Sequence, residues 1–552
     1  MTRAWLIFVS VSVLTAAFVA SLKGLSSSEG LSVPISVFAL LVGAAVSGFV
    51  SSEFWTESLG GFWNSLSRPS RVFFVAVFVL SASSFLFLTN ETMGQWGTAN
   101  PNNLGDLPLH FHFIEFFARG AHFPPADPTF AGESLHYPYG VDLWDALWVK
   151  LGIPVRTALV ITGVISLLVS MIALWETGGI VLLCAFFFSG GLAMSLHWEH
   201  TFGPTAALPW KNLFHSIFVT QRGFLWALPA GLFLIRHWQK FLERERRSLS
   251  FVFLWIWSVM PFFHLHSFVV LSFWMGLTIL AHRRFSWRLF PFALLALFFI
   301  FRSVNTQNVD SALSWSWGWM FQSSRDVILN LGAWAVLPPF LLAVWIKNRD
   351  WKSAVVAVVL TFFAVNLKLA PWIWDQIKVL VWVYLLWTLW IVQQIKMKEA
   401  GAAALAALLF WPGAMQWASG WPSWTGRFEI QNAADRAEVR KLLEGLSPDE
   451  IVAAKVEYHH PLFGLGQSLV MGLPGQAWSH GFPMKERTEG LESVLSGRPG
   501  GNIFAKEFGV KWMLWKENGD LNDSPPLETW KRLGWSEEKK VGAWHLWKFD
   551  EN

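Results

Sequence analysis

The run Thr157–Trp175, TALVITGVISLLVSMIALW, is nineteen residues long and carries no charge. A helix of that length can cross the hydrocarbon core of a bilayer, which takes ~20 apolar residues. Comparable runs start near Trp5, Leu31, Val72, Gly178, Gly223, Phe251, Ser267, Leu289, Val327, Ser353, Val379 and Ala400. Together they predict a polytopic α-helical membrane protein with about thirteen transmembrane helices. Composition points the same way. Of 552 residues, 53% are hydrophobic and 14% charged, and the mean hydropathy is +0.40, whereas soluble domains carry about a quarter charged residues. Cys184 is the only cysteine, so no internal disulfide can form.

Charge divides the chain. Residues 418–552 hold 19 acids and 16 Lys or Arg, net −3; residues 1–417 hold 19 acids and 26 bases, net +7. The expected organisation is an N-terminal hairpin of helices over 1–71, a membrane domain over 72–417 with a long external loop at 89–156, and a C-terminal α/β domain over 418–552. In that tail, Ala433–Leu443 and Lys485–Leu495 read as helices. Ile451–Val456, Gln467–Met471, Val510–Trp515 and Ala543–Lys548 read as strands. No basic stripe or motif points to nucleic acid.

Five short basic connections orient the helices. They carry Arg68 and Arg71; Arg236, Lys240, Arg244, Arg246 and Arg247; Arg283, Arg284 and Arg288; Lys347, Arg349 and Lys352; Lys396 and Lys398. Positive loops stay inside, and all five fall on one side of the thirteen-helix map. The N-terminus is then cytoplasmic and the tail extracytoplasmic. The first run is longer than the apolar region of a signal peptide, about 7–15 residues, and reads as a helix rather than a cleaved leader. The long connections 89–156, 195–222 and 302–326, the short 366–378 and the tail all fall outside.

The first external loop concentrates carboxylates: Glu91, Asp106, Glu115, Asp127, Glu133, Asp142 and Asp145. Leu109, Phe113, Phe116 and Phe117 recur at helical spacing, which predicts a helix lying on the membrane surface from about Leu109. Asp106 stands just before it, where it would either cap the helix or act chemically. His110, four residues on, shares its face. A carboxylate and an imidazole on one cavity could serve as base and partner or hold a divalent cation.

These segments resemble the GT-C integral-membrane glycosyltransferases, in particular bacterial relatives of the enzymes that use polyprenyl-phosphate mannose. Gly105-Asp106 followed by Pro108 and His110 is similar to the family's catalytic acid in the first large external loop. Pro124-Pro125 through Tyr137-Pro138-Tyr139 is similar to that loop's continuation, with Glu133 and Tyr137 on the substrate side. Gln221-Arg222, His264-Leu265-His266 and Trp374-Asp375 with Lys378 resemble further elements at external helix ends. Two helices precede the loop here, where the family pattern has one, and no second acid directly follows Asp106.

The resemblance implies an inverting glycosyltransferase of the bacterial inner membrane. It would carry sugar from a polyprenyl-phosphate donor to a lipid, glycan or protein acceptor, with Asp106 as base. Its substrate-binding set would be His110, Glu133, Tyr137, Gln221, Arg222, His264, His266, Asp375 and Lys378. The residues also allow plainer readings. Arg222 and Lys378 would suit carrier phosphate or could snorkel at helix ends. Asp375 could simply pair with Lys378, and His264 and His266 fit capping of a helix break better than a metal. The segment Val470–Gly481 is either an acceptor-side surface or a supporting turn. Two rival functions fit the same helices: a transporter or flippase of a glycolipid, and a non-catalytic membrane assembly protein.

Overall fold

A computed structural model describes residues 2–25, 30–51, 59–92, 94–100, 103–192, 212–243, 247–283, 286–303, 314–318, 321, 323–369, 373–395, 397–419, 428–517 and 527–550. Arg244, Arg246, Arg284, Lys396 and much of the connections 195–222 and 302–326 lie outside the described residues, as do Pro371 and Trp372 of the connection 366–378.

The chain is mostly helical. The first helices are α1 (Thr2–Leu25), α2 (Val33–Ser51), α3 (Leu59–Ser65), α4 (Arg68–Leu86), α5 (Asn103–Ala118), α6 (Gly140–Lys150) and α7 (Val155–Phe187). Next come α8 (Phe224–Leu242), α9 (Arg247–Phe263), α10 (Leu265–His282), α11 (Leu289–Ser303) and α12 (Ser324–Leu331). The apolar part of the chain closes with α13 (Leu337–Lys347), α14 (Trp351–Asn366), α15 (Ile377–Gln394) and α16 (Glu399–Ser419). The apolar runs read from the sequence fall on these helices, the one from Val327 being divided between α12 and α13 by a 3-10 turn at Gly332–Val336. The runs from Thr157 and Gly178 are the two limbs of α7, which is kinked where Gly178 and Gly179 leave helical geometry.

Among the described residues, five helical stretches are long and apolar enough to cross a membrane: Arg68–Leu86, Val155–Phe187, Leu265–His282, Ser324–Lys347 and Ile377–Gln394. Five more apolar helices are shorter, including Leu249–Phe263 and Trp351–Asn366. These helices are compatible with embedding in a membrane, and the exposed Val72, Val75 and Val79 on α4 suit a lipid-facing side.

The first loop and the tail interlock. Strands β1 (Asn90–Thr92) and β2 (Gln95–Thr98) of the loop form one antiparallel sheet with β5 (Phe428–Asn432) of the tail. A two-residue pairing of β3 (Ser314–Trp315) with β4 (Leu367–Lys368) lies apart from it. The tail itself has a four-stranded sheet, ordered β6 (Ile451–Ala453), β7 (Val510–Lys516), β9 (Trp544–Phe549), β8 (Trp535–Val541). β6 and β7 are parallel and the other neighbours antiparallel. Helices α17 (Ala433–Leu442), α18 (Pro474–Ser479), α19 (Met484–Leu495), α20 (Pro499–Glu507) and α21 (Leu527–Arg532) complete it.

The segment Gln467–Met471 is not the strand its pattern predicts and makes only an isolated bridge, Val452 to Leu469. Its backbone bonds Pro448 and Val452 of the tail and also the first loop: Leu469 N donates to the Pro128 carbonyl and Ala131 N to that of Leu469, and the following Gly472 N donates to that of Thr129. Phe130 of the loop enters the tail's core and stacks on Phe482 with ring centroids 4.6 Å apart. Burying such a ring contributes about 1.5–3 kcal/mol, so this contact helps hold loop and tail together.

Candidate active site

α5 departs from the helix expected from periodicity. It begins at Asn103, so Asp106 sits inside its first turn and not at its cap. Every residue from Leu107 to Ala118 is buried within the protein, so no face of this stretch is left open. The reason is the tail, which covers the face that would otherwise meet water. Gly464 N and Gly466 N donate to His112 Nδ1 at 2.9 and 3.3 Å. Arg119 donates to the carbonyls of Leu446, Leu465 and Gly466 and to Gln467 Oε1, at 2.9 to 3.2 Å. Glu115 pairs with Arg440 at 2.8 Å. Held as an acceptor among buried neighbours, His112 is pushed down to about 4 by burial.

Asp106 lies partly buried in the first turn of this helix and accepts a hydrogen bond from Gln221 Nε2. Burial raises its carboxyl above the ordinary value, while Lys378, His110 and His480 oppose the rise and Asp375 adds to it. Two of those groups form an ion pair, Lys378 Nζ to Asp375 at 2.8 Å, at the start of α15. The salt-bridge reading of Asp375 is therefore present in the structure. It leaves further N–H donors on the ammonium, which carries three.

The tail closes the other side. The Tyr458 hydroxyl lies against Gly105, and Gln476 Nε2 donates to the Gly105 carbonyl at 3.1 Å. Burial and the Asp106 charge push the Tyr458 phenol up to about 12. Tyr137 packs between the rings of His480 and His110, with centroids 5.6 and 6.1 Å away. Its phenol is raised well above the ordinary value by burial first, then by Asp106, Asp142 and Asp375.

The other expected site residues make the following contacts. Arg222 does not face the Asp106 cluster as a phosphate ligand. It is fully buried, and its Nη2 donates to Asp145 Oδ2 at 2.7 Å. Thr162 Oγ1 holds the second oxygen of Asp145 at 2.5 Å. His110 is buried too, its Nδ1 lying 2.9 and 3.1 Å from the two oxygens of Asp142. Because a carboxylate only accepts, this contact puts the proton on Nδ1. His264 caps α10: its Nδ1 accepts from Ser267 N at 3.2 Å, as the capping reading expects. The His266 ring stands 5.8 Å from that of His264, beside Lys378 and Asp375. Glu133 is not among the charges acting on Asp106; it lies near His136 and Arg487.

No group of three or more His, Cys, Asp or Glu able to hold a metal ion occurs among the described residues. The divalent cation considered from the sequence thus finds no ready ligand set there. Sequence reasoning missed Tyr458 altogether, and it took Asp142 and Asp145 only as loop carboxylates. Spacing carries a signal for that pair, since two acids three apart on a buried helix need partners. Tyr458, Gln476 and His480 reach the site through tertiary folding, and the Val470–Gly481 segment hinted only at Gln476 and His480. No protein-family model matches the chain, and no curated protein sequence matches it.

Proposed function

We propose that the chain is an inverting membrane glycosyltransferase of the GT-C type. It moves sugar from a polyprenyl-phosphate donor to a lipid, glycan or protein acceptor on the outer face of a bacterial inner membrane. The thirteen-helix topology, with the N-terminus cytoplasmic and the tail outside, belongs to the same proposal.

The observation that carries the reading is a carboxylate, Asp106, bonded by Gln221 and within electrostatic reach of a cation, Lys378, whose direct partner is Asp375. Asp106 is partly buried, bonded by Gln221, and electrostatically linked to Lys378. A base needs a pKa nearer working pH than that of a free carboxylate, and burial supplies that shift. Asp106 takes the proton from an acceptor hydroxyl as its oxygen attacks the anomeric carbon. The bond from that carbon to the phosphate oxygen breaks on the far side, and polyprenyl phosphate leaves. Lys378 offsets the growing phosphate charge as a point cation. Tyr458, Gln476 and His480 line the tail side, where the acceptor enters. The clustering of Gln221, His266, Asp375 and Lys378 with Asp106 supports the reading beyond any one residue.

The test is release of polyprenyl phosphate from a polyprenyl-phosphate sugar by the purified chain in proteoliposomes, with a cell-envelope extract as acceptor. Release that depends on the acceptor is expected. Movement of an intact glycolipid between leaflets with no release would favour the flippase reading.

A further inference from the structure

α6 carries two carboxylates one turn apart, Asp142 and Asp145, and both are fully buried. Asp142 holds His110, which sits one turn beyond Asp106 on α5. Asp145 holds Arg222, the neighbour of Gln221. One short helix therefore grips both parts whose meeting makes the Gln221 to Asp106 hydrogen bond. Within the two side chains held, the grip stands alone or nearly so: His110 Nε2 and Arg222 Nε are buried without a hydrogen-bond partner. Farther along α5 and just past its end, the tail holds His112, Glu115 and Arg119.

The ends of the frame are seated on one break between helices. A Cβ on Gly140, the first residue of α6, would come 2.8 Å from the Phe262 carbonyl oxygen. One on Gly223, just after Arg222, would come 1.9 Å from that of Phe263. Neither position has room for a side chain, so α6 and the Gln221 turn approach the end of α9 as closely as backbones can.

Burying four ionisable groups is costly, and well-packed apolar side chains often hold helices together as well or better. What charged pairs add is direction, because a hydrogen bond fixes the orientation of a ring or a guanidinium. We propose that Asp142 and Asp145 are positioning residues for Asp106: by holding His110 and Arg222 they set the Gln221 amide against the Asp106 carboxylate. The inference rests on Asp106 being the reacting carboxylate. Besides Gln221, the groups facing Asp106 are His110 on its own helix, Lys378 and Asp375 at the start of α15, Tyr137 of the loop, and Tyr458 and His480 of the tail. The shortest bonded path from Asp145 to Asp106 runs through Arg222 and Gln221, and that from Asp142 runs through His110.

The test reads the protonation of Asp106 directly in the full chain in detergent. Dicyclohexylcarbodiimide adds to protonated carboxyl groups, and peptide mass mapping measures the adduct at Asp106 as pH is varied. Gln221→Ala removes a hydrogen bond to the charged form, so labelling should persist to higher pH. Asp145→Glu keeps the charge but lengthens the arm by one methylene. It should shift labelling the same way, lower sugar transfer by about 10²-fold, and add nothing in a Gln221→Ala background.

Thr162→Val removes the hydroxyl that donates to Asp145 and accepts from Trp144 Nε1, and should give a smaller shift of the same sign, even if Asp145→Glu fails to fold. The proposal is overturned if Gln221→Ala shifts labelling while Thr162→Val and a folded Asp145→Glu leave it unchanged, or if the double variant is additive. Coupled labelling shifts in a chain that transfers no sugar would sink the proposed function and leave the frame standing.

Discussion

Removing the Arg222 side chain tests whether that residue serves the donor or the fold. Its guanidinium and the Asp145 carboxylate are both wholly out of water and 2.7 Å apart. Arg222→Ala strands Asp145 with only the Thr162 hydroxyl, at 2.5 Å. Breaking a buried pair by deleting one partner costs about 3–5 kcal/mol, because the remaining charge has no counterion. Burial already raises the Asp145 carboxyl above its ordinary value, so the stranded group can take up a proton, and the low end of that range is expected. The assay is thermal unfolding in detergent beside donor binding measured at a temperature where the variant is still folded. A lowered unfolding midpoint with donor affinity nearly intact is expected, and Arg222→Met with Asp145→Leu should recover much of the loss. An unchanged midpoint with donor affinity at least tenfold weaker would refute the buried-pair account and return Arg222 to the phosphate.

Lys378→Ala should act in the opposite sense, weakening donor binding by about 1.5–3 kcal/mol, the worth of one charge-assisted contact; unchanged binding in vesicles would remove Lys378 from the phosphate side. Docking of the tail should depend on pH through His112, which burial moves from 6.5 to about 4. The folded state resists the proton that the unfolded chain accepts, so stability is full above pH 6.5 and falls as pH drops toward 4, by on the order of 3 kcal/mol. His112→Gln, which keeps an acceptor without a titration, should flatten that slope in thermal melts at stepped pH, and an unaltered slope would count against it. The native thiol, Cys184, is buried, which gives a quiet background for topology. Lys531→Cys should label with an impermeant maleimide in spheroplasts and Lys352→Cys should not; the reverse pattern would invert the map.

Local signals carried the helices. A run such as Thr157–Trp175 declares itself because apolar length needs no partner to be recognised. Asp106 was also visible, since it stands in an acid-rich loop beside a helical pattern. What could not be read was the environment of α5. Its periodicity looked amphipathic, but the polar positions His112, Glu115 and Arg119 face a tail more than 300 residues away in sequence. The same non-local contact turned Gln467–Met471 from an expected strand into a backbone partner of Pro128–Ala131. Arg222 shows the other limit. A cation at a helix end suits phosphate or a buried acid equally well, and only the position of Asp145 on α6 decides between them.

The most direct measurement is sugar transfer by Asp106→Asn in proteoliposomes, with thermal unfolding on the same preparation. Asparagine keeps the size of the side chain and an oxygen for the Gln221 amide, and it lacks only the proton affinity. Loss of a positioned base slows turnover by about 10²–10⁴-fold. The account predicts a loss of that size with an unfolding midpoint close to that of the unaltered chain. Turnover within a few-fold of the unaltered chain in the folded variant would contradict it.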